Sequence, residues 1–352
     1  MAEEPNIAIV GATGLVGREM IALLEERDFC CGEIRLFASV RSAGRVVPCC
    51  GREVEVRSLE VREAWAEAFA GIDIALFSAG GSVSREYGPI AVEAGATVID
   101  NSSSFRMDER FALVVPEING EVIRRGTIIA NPNCSTIIML MAVTPIRRML
   151  GLRRMNVCTY QAASGGGATA MEELLAQTRA VLDGEEPAGV AEGSSPMRAF
   201  NVFCHDSEIG ADGYNIEERK MIEETRKIWG DDQVAITATC VRVPVVRTHC
   251  ESINLTFDRE ITENDLKGIR KAIDDFPGAR VLDDRVGNRF PTPREASGRD
   301  AVLVGRLRLD VSQMNKAGTA SRGLELFVAG DQIRKGAALN AVQIAERLVA
   351  ED

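Results

Sequence analysis

A glycine-rich loop after a short apolar run constrains the fold of this chain more than any other feature. Residues 6–10 read NIAIV, the loop at 11–17 reads GATGLVG, and apolar residues then recur at helical spacing from Met20 to Leu24. Glycines allow a tight turn and close approach to a pyrophosphate, and the N-terminus of the next helix offers free N–H groups. This order predicts the first unit of a dinucleotide-binding sheet.

Apolar runs continue through the first part of the chain, separated by segments that are helical or turn-like. They lie at 34–38, 72–77, 97–99, 112–115 and 127–130. Strands that alternate with helices indicate parallel βαβ units. The fold class predicted for this part is therefore α/β, with a Rossmann-like doubly wound sheet.

The pattern changes after Cys134, where strand-like runs outnumber helices. A helical pattern follows Cys134 directly, 183–213 is rich in Gly, Ser and Pro, and further helices are expected at 215–229 and 262–275. The strand-like runs lie at 155–161, 234–246, 251–257, 302–309 and 322–328. We expect a second α+β domain with a mixed or antiparallel sheet.

Two domains suit a chain of 352 residues, because one hydrophobic core stops growing near ~250–300 residues. The last segment, 333–350, has the pattern of an amphipathic helix that packs back on the first domain. We therefore predict a cofactor-binding domain at 1–132 plus 333–352. The domain at 133–332 is expected to carry catalysis and dimerisation.

Composition excludes several classes of protein. The net charge is −11 without a basic tract, which argues against nucleic acid as a partner. The sequence has no apolar stretch of ~18 residues and no signal-peptide pattern, so we expect no membrane association and a cytoplasmic location. The nine cysteines lack zinc-site spacing, which predicts reduced thiols and no metal.

The second apolar run indicates which dinucleotide binds. NAD sites place an acidic residue ~20 residues after the glycine loop, at the ribose 2′-hydroxyl. Here the run ends in Ser39, Val40, Arg41 and Ser42, without an acid. A guanidinium flanked by hydroxyls suits a 2′-phosphate, so we predict NADP.

Cys134 is the strongest candidate for a nucleophile. It follows the apolar run 127–130 and opens a helical pattern, and a helix N-terminus stabilises a thiolate. The chain has two histidines, His205 and His249. A Cys–His pair across the fold is a common nucleophilic arrangement, although a single histidine is more often structural. His205 falls in the 183–213 segment and is left out.

Further motifs complete a specific pattern: NSSSFR at 101–106, NPNCST at 131–136, TYQ at 159–161, SGGG at 164–167, Glu217 with Lys220, Arg242 with His249 seven positions on, and GDQ at 330–332. Each motif alone is common. In this order and spacing, with the glycine loop, the chain resembles the aspartate-semialdehyde dehydrogenase family over nearly its whole length.

The resemblance implies a role for each matching residue. Cys134 would be the nucleophile, His249 the general acid/base, and Gln161 would orient the substrate carbonyl. Arg242 would bind the α-carboxylate of the substrate and Glu217 its ammonium group. The phosphate group would lie among Arg106, Lys220 and Asn133. The cofactor would contact Gly11, Thr13, Gly14, Leu15, Val16, Ser39, Arg41, Ser42, Ser78, Ser164, Gly165 and Gln332.

The implied reaction is the NADP-dependent reduction of L-aspartyl 4-phosphate to L-aspartate 4-semialdehyde, with release of phosphate, through a thioester on Cys134. It belongs to the biosynthesis of lysine, through diaminopimelate, and of threonine and methionine. A homodimer or homotetramer is expected. The alternatives are a reductase of N-acetylglutamyl phosphate or of a related acyl phosphate or thioester, and a catalytically silent NADP-binding relative.

Overall fold

The structure, a computed structural model, describes residues 4–59, 65–187 and 196–350. The chain forms two compact units, the first from 1–133 with 336–352 and the second from 134–335. The sequence predicted the changes of domain after residues 132 and 332. No helix in the described ranges is long and apolar enough to cross a membrane.

The first unit is built on an eight-stranded sheet. In chain order its strands are β1 (Ile7–Val10), β2 (Ile34–Ala38), β3 (Val46–Cys49), β4 (Arg52–Ser58), β5 (Ile74–Phe77), β6 (Thr97–Asp100), β7 (Ala112–Leu113) and β8 (Ile128–Ala130). Across the sheet the order is β3-β4-β2-β1-β5-β6-β8-β7. All pairs are parallel except β3 with β4.

This sheet confirms the predicted Rossmann-like architecture. Every residue of β1, β5 and β6 is buried, as expected for parallel strands covered on both faces. The strand order reverses direction at β1, which lies between β2 and β5. Ligands of doubly wound sheets bind at such a switch point, beyond the carboxyl ends of the strands. The glycine loop follows β1 at this place.

The helices of the first unit are α1 (Leu15–Glu26), α2 (Trp65–Phe69), α3 (Gly81–Glu93) and α4 (Pro116–Asn119), with a C-terminal helix at Leu339–Ala350. The C-terminal helix shares a core with α1, in which Met20 and Leu24 pack with Ile344 and Leu348. Arg27 and Glu346 add an ion pair of 2.6 Å. The helix expected from residue 333 is α-helical only from Leu339, after a π-helical turn at Arg334–Ala338.

The second unit contains a seven-stranded sheet. Its strands are β9 (Arg154–Gln161), β10 (Phe203–Cys204), β11 (Ala235–Arg242), β12 (His249–Ile261), β13 (Ala279–Val281), β14 (Val302–Leu309) and β15 (Ser321–Gly330). Their order is β10-β11-β9-β12-β15-β14-β13. Because β9–β11 and β13–β14 are parallel and the other pairs antiparallel, the predicted mixed sheet is confirmed.

Five helices accompany this sheet in the described ranges: α5 (Cys134–Leu150), α6 (Gly167–Asp183), α7 (Ile216–Trp229), α8 (Asp265–Asp274) and α9 (Pro293–Ala296). Every residue of α5 from Ser135 to Ile146 is buried, as expected for a helix that is apolar on all sides. A capping box between Asn215 and Glu218 starts α7. Within the predicted 183–213 segment, residues 188–195 lie outside the described residues.

Candidate active site

The glycine loop of the first unit permits close approach of backbone to backbone. Gly11 has a φ of 91°, and a Cβ there would lie 2.8 Å from the carbonyl of Ser78 at the end of β5. A Cβ on Gly17 would overlap the carbonyl oxygen of Gly11. Only glycine fits at these positions, which lets the first turn of α1 stand against the loop. Leu15 and Val16 lie in that turn.

A cavity of about 360 Å³ lies above the loop and gathers several predicted cofactor residues: Gly11, Thr13, Gly14, Ser39 and Ser78. Ser42 is held beside them, since Thr13 Oγ1 lies 3.2 Å from Ser42 Oγ. Arg41 is exposed in the short helical turn Val40–Ser42, and it makes no hydrogen bond or ion pair with the described residues. The cavity and the loop fit a dinucleotide.

Arg106 and Asn133, also in the first unit, are buried. Arg106 donates from Nε to the carbonyl of Asn131 and from Nη2 to that of Asn101, each at 2.9 Å. Asn131 is itself held by Asn101 and by Asn340 of the C-terminal helix. These contacts fix the guanidinium of Arg106 beyond the ends of β6 and β8.

Cys134 is the first residue of α5 in the second unit and is partly exposed. The partial positive charge of a helix N-terminus favours its thiolate. The buried cysteines are in the opposite situation. Burial raises the pKa of Cys31 and Cys250 to about 12 and also raises the pKa of Cys49 and Cys240. Those four thiols are therefore poor nucleophiles.

Gln161 connects the neighbour of Cys134 with two other predicted residues. Its Nε2 donates to Ser135 Oγ at 2.9 Å and to Glu217 Oε1 at 3.2 Å, and its Oε1 accepts from Arg242 Nη1 at 3.1 Å. The sheet register explains this meeting, because β9 and β11 are parallel and pair Gln161 with Arg242 at their carboxyl ends.

Glu217 lies in the first turn of α7, where the helix dipole favours a carboxylate. Lys220 donates to Glu217 Oε2 at 3.1 Å. The side chain of Glu217 is 6% exposed and that of Lys220 28%. This i,i+3 ion pair therefore contacts Gln161 through Glu217, and it is not a solvated surface pair.

His249 is fully buried at the start of β12. The backbone N–H of Ala162 donates to its Nδ1 at 3.0 Å, and Nε2 has no partner among the described residues. Burial, with a contribution from Arg242, lowers the pKa of His249 to about 3. The ring is thus neutral near pH 7, with its proton on Nε2. Because Ala162 follows Gln161, His249 lies in the same cluster.

The backbone before His249 is held in an unusual conformation. Thr248 has a φ of 85°, which is rare for a β-branched residue. Its N–H donates to Gln332 Oε1 at 2.8 Å, and Gln332 Nε2 donates to Ser164 Oγ. Gln332, predicted to contact the cofactor, thus has both ends of its amide bound to protein.

The sequence reasoning missed two charged or polar contacts, one beside the Gln161 cluster and one within it. Arg247, which had no assigned role, donates to the fully buried Asp331 at 2.7 Å. His205, which had been left out, has its Nε2 at 2.8 Å from Arg242 Nη2. The cluster is so tight that a Cβ on Gly165 would lie 2.9 Å from Arg242 Nη1 and 3.0 Å from His249 Nε2. His205 directly follows β10, and a strand of two residues is too short to produce a pattern that could be recognised in the sequence.

Two family models match the chain. Residues 6–126 match "Semialdehyde dehydrogenase, NAD binding domain", and residues 143–335 match "Semialdehyde dehydrogenase, dimerisation domain". The chain is 47% identical to the aspartate-semialdehyde dehydrogenase of Synechocystis, over 98% of this chain and 97% of the relative. It is also 47% identical to that of Aquifex aeolicus, over 98% of both chains. The resemblance found in the motifs is confirmed.

Solved structures agree with the sequence relatives. The crystal structure of aspartate semialdehyde dehydrogenase II from Vibrio cholerae superposes with a TM-score of 0.90 at 42% identity, covering 99% of each chain. A second structure of that enzyme, complexed with ASA, superposes with a TM-score of 0.89 at the same identity and coverage.

Proposed function

We propose a function for this chain, which belongs to the aspartate-semialdehyde dehydrogenase family. The chain reduces L-aspartyl 4-phosphate to L-aspartate 4-semialdehyde, with NADPH as reductant and release of phosphate. The observation that carries this proposal is the cluster around Gln161. It joins the neighbour of Cys134 to a carboxylate and a guanidinium, Glu217 and Arg242.

NADP is the proposed cofactor. The glycine loop and the cavity beside it suit a pyrophosphate and its attached groups. Arg41 is exposed and Ser39 and Ser42 lie close by, so a 2′-phosphate would meet a guanidinium and two hydroxyls. Further contacts are proposed from Ser164, Gly165 and Gln332. When bound, the cofactor supplies the hydride that reduces the thioester carbonyl.

Cys134 is proposed to attack the carbonyl carbon of the acyl phosphate. The C–S bond forms, the C–O bond to phosphate breaks, and phosphate leaves with the electron pair of that bond. The product of this step is a thioester on Cys134. Covalent capture divides one difficult reaction into two easier ones. After reduction, the hemithioacetal collapses, releases the aldehyde and restores the thiolate.

His249 is proposed to stabilise the oxygen of the tetrahedral species. Since Nδ1 accepts from Ala162, the proton of the neutral ring is on Nε2, where it donates to a developing oxyanion. The acid/base role implied by the family resemblance requires this ring to gain or lose a proton. Gaining one at Nδ1 requires the Ala162 contact to break.

Substrate recognition is proposed to use the charges of the cluster. Arg242 binds the α-carboxylate, because a planar guanidinium matches a carboxylate with two parallel hydrogen bonds. The buried carboxylate of Glu217 binds the α-ammonium group. Arg106, Lys220 and Asn133 bind the phosphate group. The Vibrio cholerae relative, whose structure is complexed with ASA, supports an aspartate semialdehyde site.

We further propose a homodimer or homotetramer and a place in lysine, threonine and methionine biosynthesis. The match of residues 143–335 to a dimerisation domain supports self-association. The second unit also exposes large apolar side chains, including Leu182 at 74% and Phe200 at 63%.

Phosphate-dependent reduction of NADP tests the function. L-aspartate 4-semialdehyde is compared with N-acetylglutamate semialdehyde, the substrate of the main alternative. We expect turnover of the first compound only, because an acylated nitrogen offers no charge to Glu217. Preference for the acetylated compound would overturn the proposal, and no turnover of either compound would favour a catalytically silent relative.

A further inference from the structure

His205 lies on the far side of Arg242 from Gln161. The side chain of His205 is 10% exposed. Its Nε2 is 2.8 Å from Arg242 Nη2, while Arg242 Nη1 donates to Gln161 at 3.1 Å. The two outer nitrogens of the guanidinium are therefore each tied to a different neighbour, one on β9 and one beyond β10.

The hydrogen bonds of His205 belong to a closed network that returns to Gln161. Its Nδ1 lies 3.0 Å from Ser207 Oγ, which accepts from the backbone N–H of Glu217 at 3.3 Å. Glu217 Oε1 accepts from Gln161 at 3.2 Å. This network thus joins Arg242 and Glu217, the two residues proposed to bind the charged groups of the substrate.

The contact with Arg242 determines the tautomer of His205. A guanidinium only donates, so Nε2 must offer a lone pair to Arg242, and the proton of the neutral ring is then on Nδ1, 3.0 Å from Ser207 Oγ. The backbone N–H of Ser207 also lies 3.2 Å from Nδ1, but the opposite tautomer, which would accept from it, would turn an N–H toward the guanidinium. Burial and the charge of Arg242 lower the pKa of His205, against the opposing influence of Glu217 and Asp206. The ring is therefore a neutral acceptor.

A neutral acceptor holds Arg242 without cancelling its charge. The two groups that accept from its Nη atoms, Gln161 Oε1 and His205 Nε2, are both uncharged. Asp206 forms an ion pair of 3.6 Å with Arg242 Nε but accepts no hydrogen bond from it. Each Nη keeps a second N–H, so the guanidinium is oriented and still able to bind an anion.

We propose that His205 is a positioning residue that aims the guanidinium of Arg242 at the α-carboxylate of the substrate and so determines preference for substrates that carry this group. This inference rests on the proposed function, in which Arg242 binds that carboxylate. His205 itself does not touch the reacting atoms, so its effect should appear in substrate binding and selectivity.

Three substitutions separate the two ring nitrogens. His205→Gln places an acceptor where Nε2 is, His205→Asn keeps a polar atom near Nδ1 only, and His205→Ala keeps neither. Each variant is assayed with L-aspartate 4-semialdehyde and with 3-aminopropanal, which lacks the carboxylate. Thermal unfolding of each variant is recorded to measure any loss of fold.

For L-aspartate 4-semialdehyde, we expect KM to rise about 10-fold or more in His205→Ala and His205→Asn, with kcat nearly unchanged. His205→Gln should restore KM. For 3-aminopropanal, kcat/KM should be the same in all variants. Equal losses for both aldehydes, failure of Gln to rescue relative to Asn, or an unchanged KM in His205→Ala would each overturn the proposal. A wild-type chain inactive on L-aspartate 4-semialdehyde would instead overturn the proposed function and this inference with it.

Discussion

The backbone N–H of Ala162 donates a hydrogen bond of 3.0 Å to Nδ1 of His249. Ala162 follows Gln161, whose side chain contacts Ser135 next to Cys134. The backbone at Ala162 therefore orients the ring of His249 and favours its neutral form. A charged imidazolium needs an N–H at Nδ1, which the Ala162 donor opposes.

The protonation state of His249 gives the first prediction. Its neutral ring should carry the proton on Nε2 throughout pH 6–8, because burial lowers the pKa to about 3. ¹⁵N-histidine NMR can measure this directly, since the chain has only two histidines and His205→Asn assigns them. A ring that carries its proton on Nδ1, or a doubly protonated ring at pH 7, would contradict this reading.

The free energy of unfolding should depend on pH because of the same pKa shift of His249. The pKa falls from 6.5 to about 3 on folding, so the unfolded chain binds more protons between these values. The free energy of unfolding should therefore decrease as pH is lowered through this window. Denaturant titrations of wild type and His249→Gln measure the free energy of unfolding at each pH. Its decrease toward low pH should be smaller in the variant.

Arg41 should determine selectivity between NADP and NAD. Arg41→Ala removes a guanidinium that is exposed and makes no hydrogen bond or ion pair with the described residues, so the fold should be unaffected. A hydrogen bond to a charged group is worth about 1.5–3 kcal/mol, which predicts NADP affinity lower by roughly 10- to 150-fold. Fluorescence titration measures both affinities. Equal losses for NADP and NAD would remove Arg41 from the cofactor site.

Lys220 should bind phosphate. Lys220→Met is expected to raise KM for phosphate in the direction of aldehyde oxidation and to leave NADP binding nearly unchanged. The matched control is Arg219→Met on the same helix, since Arg219 is 43% exposed and pairs with Asp212. If both variants changed the phosphate KM alike, a general effect of surface charge would explain the result better.

The sequence predicted the main features of the fold because they depend on strong local patterns. Buried strands such as β5 read as continuous apolar runs, and the glycine loop fixed where the first helix begins. The β3–β4 hairpin was missed, because its outward residues are polar and its apolar Val46 is exposed at the sheet edge. The π-helical turn before the C-terminal helix gave no signal in the spacing of apolar residues.

Site residues were predictable where a motif marks them and unpredictable where only the fold brings them together. Gln161 and Arg242 meet because two parallel strands pair them in register, which no local pattern shows. His205 lies in a segment that the sequence marks as a loop. The positive φ of Thr248 and its bond to Gln332 likewise depend on neighbours distant in sequence.

Variants of Cys134 should separate the binding of NADP from the catalytic reaction. Cys134→Ala is expected to abolish turnover and to keep NADP affinity, because the glycine loop belongs to the first unit. Cys134→Ser should be nearly as inactive, since an alkoxide forms far less readily than a thiolate. His249→Gln should retain residual activity, because loss of one donor to an oxyanion typically costs about 10²–10³-fold in kcat.

Trapping the acyl enzyme shows directly whether Cys134 forms the thioester. The enzyme is mixed with L-aspartyl 4-phosphate in the absence of NADPH, quenched in acid, digested and weighed by mass spectrometry. We predict one aspartyl adduct on the peptide that contains Cys134, and none in Cys134→Ala. An adduct on another cysteine, or substantial turnover by Cys134→Ala, would show that Cys134 is not the nucleophile.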